Sequence, residues 1–177
     1  MDTILAAIDA GVAFDVGDYA AGQIPTGEYA FIGLQAGNSY YSEEDSTGEI
    51  IDNEIFDTFG YVWVWETGKL TTRGVLIKVD ALPVFGIIGA KRVWENMNDK
   101  RNYFSAGWYK VGVDLPAGTY ILIASGAGYG AVMSGPIGKT EIVENLNFSG
   151  SWQVTVKNGQ YLHVARADIR RPFVPIR

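Results

Sequence analysis

Two glycine-rich stretches of the sequence resemble loops that bind phosphate groups. Residues 134–140 (SGPIGKT) end like a phosphate-binding loop, in which backbone N–H groups and a lysine surround phosphate oxygens. That loop needs a glycine five residues before the Gly-Lys pair, but Met133 occupies this position and no helical pattern follows. Residues 125–130 (SGAGYG) also lack the spacing of a dinucleotide-binding loop. We therefore expect neither a phosphate site nor a cofactor.

A third stretch, residues 40–57, contains seven carboxylates, and clustered oxygen ligands are what hard cations such as Ca²⁺ bind. Their spacing matches no calcium-binding loop, and a dense acidic segment of this kind is typical of a solvated loop. Two carboxylates could also hydrolyse a glycosidic bond, but the sequence does not place any two at the required separation. We expect no metal site here.

His163 is the single histidine and follows Tyr161 and Leu162 in a strand-like segment. A general-base role would require an activated nucleophile beside it, yet the sequence has no Gly-x-Ser-x-Gly elbow and no cysteine. The lack of cysteine also excludes disulfides and thiolate metal sites. We therefore expect a protein that is not an enzyme.

Composition and charge limit the fold and the partners. The 177-residue chain is 47% hydrophobic and has 22 glycines, which favours strands and tight turns over helices. Its net charge is −6 and its lysines and arginines are scattered, so we expect no nucleic-acid partner. No apolar run approaches the roughly 18 residues of a membrane span. The first residues lack a basic segment and Asp9 interrupts their apolar run, so we expect no secretory signal, and either a cytoplasmic location or release by cell lysis.

The chain repeats itself. Residues 19–32 (YAAGQIPTGEYAFI) match residues 109–123 (YKVGVDLPAGTYILI), with Pro25 and Pro116 aligned at an offset of 91 residues. Gly68 and Gly159 keep this offset, whereas Asn53 and Asn145 are 92 residues apart. Self-similarity of this kind indicates an internal duplication into two units of roughly 60 residues, each marginal alone.

The repeat predicts a mainly β fold of two tandem antiparallel units, sandwich-like or barrel-like, packed together and flanked by terminal arms. A proline followed two residues later by glycine marks the turn before each long strand, and Asn158-Gly159 marks a hairpin. The predicted boundaries are an N-terminal arm (1–16), a first unit (17–81), a connector (82–106), a second unit (107–169) and a C-terminal arm (170–177). The connector is expected to begin strand-like and to end as a helical turn or loop.

The aligned hairpins predict which side chains face the core. At the offset of 91, Tyr61, Trp63 and Trp65 fall on the apolar set of the second unit, which favours a core position over a sugar-stacking platform. Val62 and Val64 then fall where the other unit has Gln153 and Thr155. An apolar pair on an expected solvent face indicates contact with another subunit, a partner or the sister unit.

The terminal arms supply the other candidate interface residues. Ile4 and Ile8 share one face of a short predicted helix that Thr3 could cap and Gly11 could end. Arg170, Arg171 and Phe173 lie in a tail whose two prolines favour an extended arm.

The second unit resembles a small β module of surface proteins and lipoproteins of Gram-positive bacteria and of their phages. The resemblance rests on "VGVDLPAGTY", "IVENLNF" and "VTVKNGQYL", and the first unit keeps Ile24, Pro25, Gly27, Tyr29 and "IIDN" but departs at Gly22 and Gln23. It implies an extracellular, non-catalytic β domain and assigns no site residues.

Two functions follow as expectations. One is a phage virion structural protein, most concretely an oligomeric capsid decoration protein whose partners are copies of itself and neighbouring virion proteins. The alternative is a cell-surface module that binds glycans through Tyr40, Tyr41, Trp108 and Tyr129, because aromatic rings near turns stack on sugars.

Overall fold

The computed structural model describes residues 2–34 and 39–171 and is mainly β. Its helices are α1 (Asp2–Asp9), a 3₁₀ helix (Val79–Phe85) and α2 (Ala90–Met97). The strands of the first half are β1 (Ala13–Phe14), β2 (Gly17–Tyr19), β3 (Gly27–Gly33), β4 (Ser39–Glu44), β5 (Ile50–Phe56), β6 (Phe59–Val64), β7 (Leu70–Thr72) and β8 (Gly74–Lys78). Those of the second half are β9 (Gly107–Lys110), β10 (Gly118–Met133), β11 (Ile142–Val156), β12 (Tyr161–Ala165) and β13 (Asp168–Arg170).

The strands of the first unit form two antiparallel sheets, in the orders β1-β8-β3-β6 and β2-β7-β4-β5. The second unit builds the same arrangement from one sheet, β11-β10-β12-β9, with β13 beside the first half of β10. Its long strands β10 and β11 pass through both layers and bend together at a register shift between Ala124 and Gly128. The mainly β, sandwich-like fold predicted from the repeat is thereby confirmed.

Corresponding pairs in the two units confirm that the sequence repeat is a structural one. Tyr29 lies opposite Val62 in the first unit, and Tyr120 lies opposite Val154 in the second. Both tyrosine hydroxyls donate to the carbonyl four residues earlier, at the proline of the repeated turn (2.8 and 2.5 Å). The glycines that follow these prolines have φ angles of 152° and 153°, which explains why the turn requires glycine.

The predicted orientation of strand β6 is wrong by one residue. The strand pairing equates Val62 with Val154 and Val64 with Val156, an offset of 92 rather than 91. Because side chains alternate along a strand, a slip of one residue exchanges the two faces. Val62 and Val64 are therefore fully buried, whereas Trp65 is 40% exposed.

The apolar residues on the outer face of β6 are Phe59, Tyr61 and Trp63, which pack against the connector and the second unit. Ile137 accepts a backbone hydrogen bond from Trp63 (2.7 Å) and donates one to the carbonyl of Tyr61 (3.0 Å). The Lys139 ammonium lies 4.1 Å from the Trp63 ring centre. Residues 134–140, which resemble a phosphate loop, thus form a strap that joins the units.

The terminal segments are parts of the two sandwiches more than free arms. Ile4 is buried and Ile8 half-buried against the chain's own core, and β1 pairs with β8. The prediction that these two isoleucines contact a neighbouring molecule is therefore wrong. Arg170 belongs to β13 and lies opposite Ile121. Arg171 is exposed, with its guanidinium 6.0 Å from the Tyr120 ring centre, and Phe173 lies outside the described residues.

The connector differs from its prediction in its first half. Its beginning belongs to the 3₁₀ helix rather than a strand, and its continuation is helix α2. Val93 and Trp94 of α2 are buried in the core shared with both units. None of the helices in residues 2–34 and 39–171 is long and apolar enough to span a membrane.

Candidate functional site: two matching edge strands

Strands β5 and β11 lie at the edges of their sheets and occupy equivalent positions in the two units. Ser42 pairs with Asn53 of β5, and Ala131 pairs with Asn145 of β11. Each edge strand is paired on one side alone within the described residues, by β4 and by β10 respectively. Unpaired backbone N–H and C=O groups along such an edge are a template for another strand.

Six of the thirteen large apolar side chains that are exposed in residues 2–34 and 39–171 lie on these two edges, although the two strands comprise only 22 residues. Ile50 and Ile142 are equivalent and each is 56% exposed. Next to them, Ile51 and Val143 are also exposed, and both are the extra residue of a register irregularity that the two ladders share. Ile55 on β5 and Leu146 on β11 add further exposed apolar surface.

The two edge strands differ in charge. From Ile142 to Val156, the 15 residues of β11 include Glu144 as the one charged side chain, whereas the seven residues of β5 include Asp52 and Glu54. Burial raises the pKa of both of these β5 carboxyls. Natural edge strands are usually protected by charges, prolines or short length, and β11 has little of this protection.

The aromatic residues predicted for glycan binding divide into two groups. Tyr41 and Trp108 are buried, and Trp108 packs against Phe56 of the first unit (ring centres 6.4 Å apart), so neither is available to a sugar as predicted. The sequence does not reveal their burial, because both lie on strands whose neighbouring layer cannot be inferred from local patterns. Tyr40 and Tyr129 are partly exposed and pair with Ile55 and Asn147 of the two edge strands.

His163 lies in an aromatic stack rather than beside a nucleophile. Its ring is parallel to Trp108 at 4.6 Å (19° between planes) and meets the edge of Tyr129 at 5.5 Å. Burial, with a smaller contribution from the nearby Arg166, lowers the pKa of His163 to about 4. The ring is therefore neutral at physiological pH and serves packing between β12, β9 and β10.

Asp114 organises the junction between the two units and the connector helix. Its carboxylate accepts from the Tyr61 hydroxyl (2.6 Å) and from the backbone N–H groups of Lys110 (2.8 Å) and Lys91 (3.1 Å). The Tyr61 hydroxyl in turn accepts from the N–H of Ala90, so two of the first-turn N–H groups of α2 are satisfied by side chains from other elements. Burial raises the pKa of Asp114 to about 6, although its three donors favour the ionised form.

A second polar contact joins the units beside this one. The Lys110 ammonium lies 2.9 Å from a Glu28 oxygen, and the Tyr161 hydroxyl donates to the same carboxylate. The ammonium also lies over the rings of Tyr61 and Tyr161, 5.7 and 5.6 Å from their centres. These groups fix the two units relative to each other.

The remaining buried carboxylates are likewise engaged. Glu43 accepts from the backbone N–H of Trp65 (2.9 Å) and from the hydroxyl of Tyr41 (3.3 Å), while burial raises its pKa. Glu95 forms a 3.0 Å ion pair with Lys91. In the acidic stretch, Asp45 accepts from Thr47 within a tight turn. Across residues 2–34 and 39–171, no three acidic or histidine side chains converge on a common metal position.

Sequence reasoning missed the edge strands, although a signal was present. In "EIIDNEIF" and "TEIVENLNF" two apolar residues stand side by side at equivalent positions. Adjacent apolar residues point to opposite faces of a strand, which is unusual where one face is solvated.

No family model, curated protein or solved structure matches the chain.

Proposed function

We propose that this protein is a non-catalytic structural protein that assembles with copies of itself and with neighbouring proteins through its edge strands. The observation that carries the proposal is the concentration of exposed apolar side chains on two equivalent, one-sided strands, β5 and β11. Strand addition at such an edge provides affinity through main-chain hydrogen bonds and through alternate side chains.

The state of the polar groups supports a non-catalytic role. The side chains best suited to acid–base chemistry are held by the protein itself: Asp114 by three donors, Glu43 by Trp65 and Tyr41, and His163 by its aromatic stack. They are also spread over separate parts of the molecule. A catalytic centre would require at least two such groups to converge on one accessible position.

The most concrete form of the proposal is a phage virion protein, exposed on the particle as a capsid decoration or accessory protein. The resemblance to modules of Gram-positive surface proteins and their phages supports this location. The net charge of −6 supports protein neighbours over DNA.

Fractionation of the native source tests this proposal. Particles, cell envelope and soluble material are separated on a density gradient, and the protein is followed by quantitative mass spectrometry. We expect many copies per particle at a constant ratio to the major capsid protein. Recovery with the envelope or the medium, and not with particles, would exclude the virion location.

One observation favours a glycan-binding module as the second candidate. Tyr40 and Tyr129 are partly exposed beside the two edge strands, so each unit presents one aromatic ring next to an edge strand. In that case Tyr40→Ala and Tyr129→Ala should abolish binding to cell-wall polysaccharide while leaving the oligomeric state unchanged. Loss of assembly without loss of polysaccharide binding would favour the structural role instead.

A further inference from the structure

We propose that β11 pairs with β11 of a second copy, antiparallel and around a two-fold axis that passes beside Leu146. This inference rests on the proposed function, because it names the partner of one of the two edge strands. In such a dimer the sheet of one chain continues into the sheet of the other. A two-fold contact of this kind is closed and leaves no further copy to be added at β11.

β11 has two regular segments, and the one equivalent to β5 locates the axis, because the other, from Gly150 to Val156, exposes only glycine and polar side chains. The ladder between β10 and β11 runs without interruption from the Gly128–Phe148 pair to the Val132–Glu144 pair, and it shifts on either side. The middle of this five-residue segment is Leu146, which is 41% exposed. Two copies of the segment, laid antiparallel, bring Leu146 opposite Leu146 and Asn145 opposite Asn147.

The charge pattern selects β11 over β5 for this contact. The equivalent regular segment of β5 runs from Asp52 to Phe56 and has Glu54 at its middle. Self-pairing of β5 would therefore place two Glu54 carboxylates face to face, and like charges directly opposite destabilise a sheet. In the β11 pair the two copies of Leu146 meet, and Glu144 faces Phe148. The β11 pairing therefore opposes no like charges.

Pairing of β5 with β11 of another copy is the competing arrangement. It would place the Glu54 carboxylate against Leu146, which desolvates a charge without a partner. It would also leave β11 free on one copy and β5 free on the other, so further copies could add and form a ring or a chain larger than a dimer. These two differences allow the arrangements to be separated by experiment.

A chain without cysteine is well suited to a disulfide test. Leu146→Cys is expected to form a covalent dimer under mild oxidation, because residues facing each other across an antiparallel pair lie within disulfide reach. Ile55→Cys on β5 is the matched control, since it too replaces an exposed apolar residue of an edge strand. We expect at least a tenfold higher yield of covalent dimer for the Leu146 variant. Equal yields, or no dimer from Leu146→Cys, would overturn the pairing.

Sedimentation of the full chain provides the second measurement. The unmodified protein is expected to reach twice its 19.3 kDa mass, and Leu146→Glu, which recreates the β5 charge at the axis, should raise the dimer dissociation constant at least tenfold. Ile55→Glu is the control and should leave the dimer intact. Conversely, Glu54→Leu should open a second self-pairing edge and produce larger assemblies. Circular dichroism verifies that each variant remains folded.

The outcomes separate this inference from the proposed function. A protein that is monomeric in sedimentation yet present in many copies on particles would refute the β11 pairing and leave the structural role standing. Rings or chains in place of dimers, with no Leu146 disulfide, would refute it in favour of the β5–β11 contact. A dimer that survives Leu146→Glu would refute it in favour of another surface.

Discussion

Asp114 and His163 are expected to make the free energy of unfolding depend on pH in opposite directions. Burial raises the pKa of Asp114 from 3.8 to about 6, so between these values the folded chain binds more protons than the unfolded chain. Burial lowers the pKa of His163 from 6.5 to about 4, so in nearly the same pH range the unfolded chain binds more protons. The two contributions therefore oppose each other between pH 4 and 6.5.

The sign of each contribution follows from proton linkage. The stability that Asp114 contributes is fully present below pH 3.8 and is lost as the pH rises through about 6. The stability that His163 contributes is fully present above pH 6.5 and is lost as the pH falls through about 4. Each pKa differs by about two units between the folded and unfolded chain, which corresponds to about 3 kcal/mol at most. Because both side chains keep some contact with solvent, we expect about 1–3 kcal/mol from each.

Single substitutions separate the two contributions. Asp114→Asn removes the stability that Asp114 contributes at low pH and leaves the contribution of His163 in place. The free energy of unfolding lost relative to the unmodified protein should therefore grow as the pH falls from 7 to 4.5. In His163→Gln the loss relative to the unmodified protein should shrink over the same range. Gln153→Asn exchanges an exposed residue that does not titrate and serves as the control, with a constant difference expected.

Urea unfolding followed by circular dichroism, at pH values from 4.5 to 7.5, measures these differences. Comparison with the unmodified protein at each pH cancels the contributions of all other carboxylates. Two variants whose differences change with pH in the same direction would refute the reasoning. So would differences that stay constant for both, because the buried positions of Asp114 and His163 would then not affect their protonation.

Two further substitutions test the joint between the units. Gly138→Ala should lower the free energy of unfolding by about 2 kcal/mol or more, because the residue has a φ of 96° and an added Cβ would come within 2.7 Å of a backbone oxygen of the first unit. Gly126→Ala is the control: its Cβ would lie in open space, so the same urea assay should show no change. Lys110→Met should cost about 2 kcal/mol by leaving the partly buried Glu28 without its cation, whereas Lys78→Met, from an exposed pair, should change stability by less than about 0.5 kcal/mol. Equal effects of Lys110→Met and Lys78→Met would show that the Glu28 contact contributes no more than a surface ion pair.

Local sequence features predicted the elements of the fold well. The repeated Pro-x-Gly turn and the alternating residues after it are short-range signals, and both are present in the structure. The hairpin predicted at Asn158-Gly159 is wrong: the chain turns there, but β11 and β12 on either side do not pair, because β10 lies between them. The duplication was recognisable because both units preserve the residues that such turns require. The mainly β class and the two related units therefore follow from the sequence.

The orientation of β6 could not be predicted from the same signals. Gly68 and Gly159 suggested a constant offset, but Gly159 has a φ of 86°, whereas in the first unit a positive φ belongs to Glu66 (62°). The turns after β6 and β11 therefore differ in conformation, and the alignment across β6 slips by one residue. Such a slip leaves the composition of the strand unchanged and reverses which side chains are buried.

The sequence by itself determined the class of fold, the duplication and the scarcity of groups placed for chemistry, because these depend on residue types and on contacts close along the chain. Only the tertiary structure decided which apolar residues are covered. Tyr61 is buried because Asp114 and Tyr161 reach it from the other unit, and Ile142 is exposed because β11 lies at the end of the strand order. Both facts depend on contacts between residues far apart in sequence. Local sequence patterns do not encode such contacts.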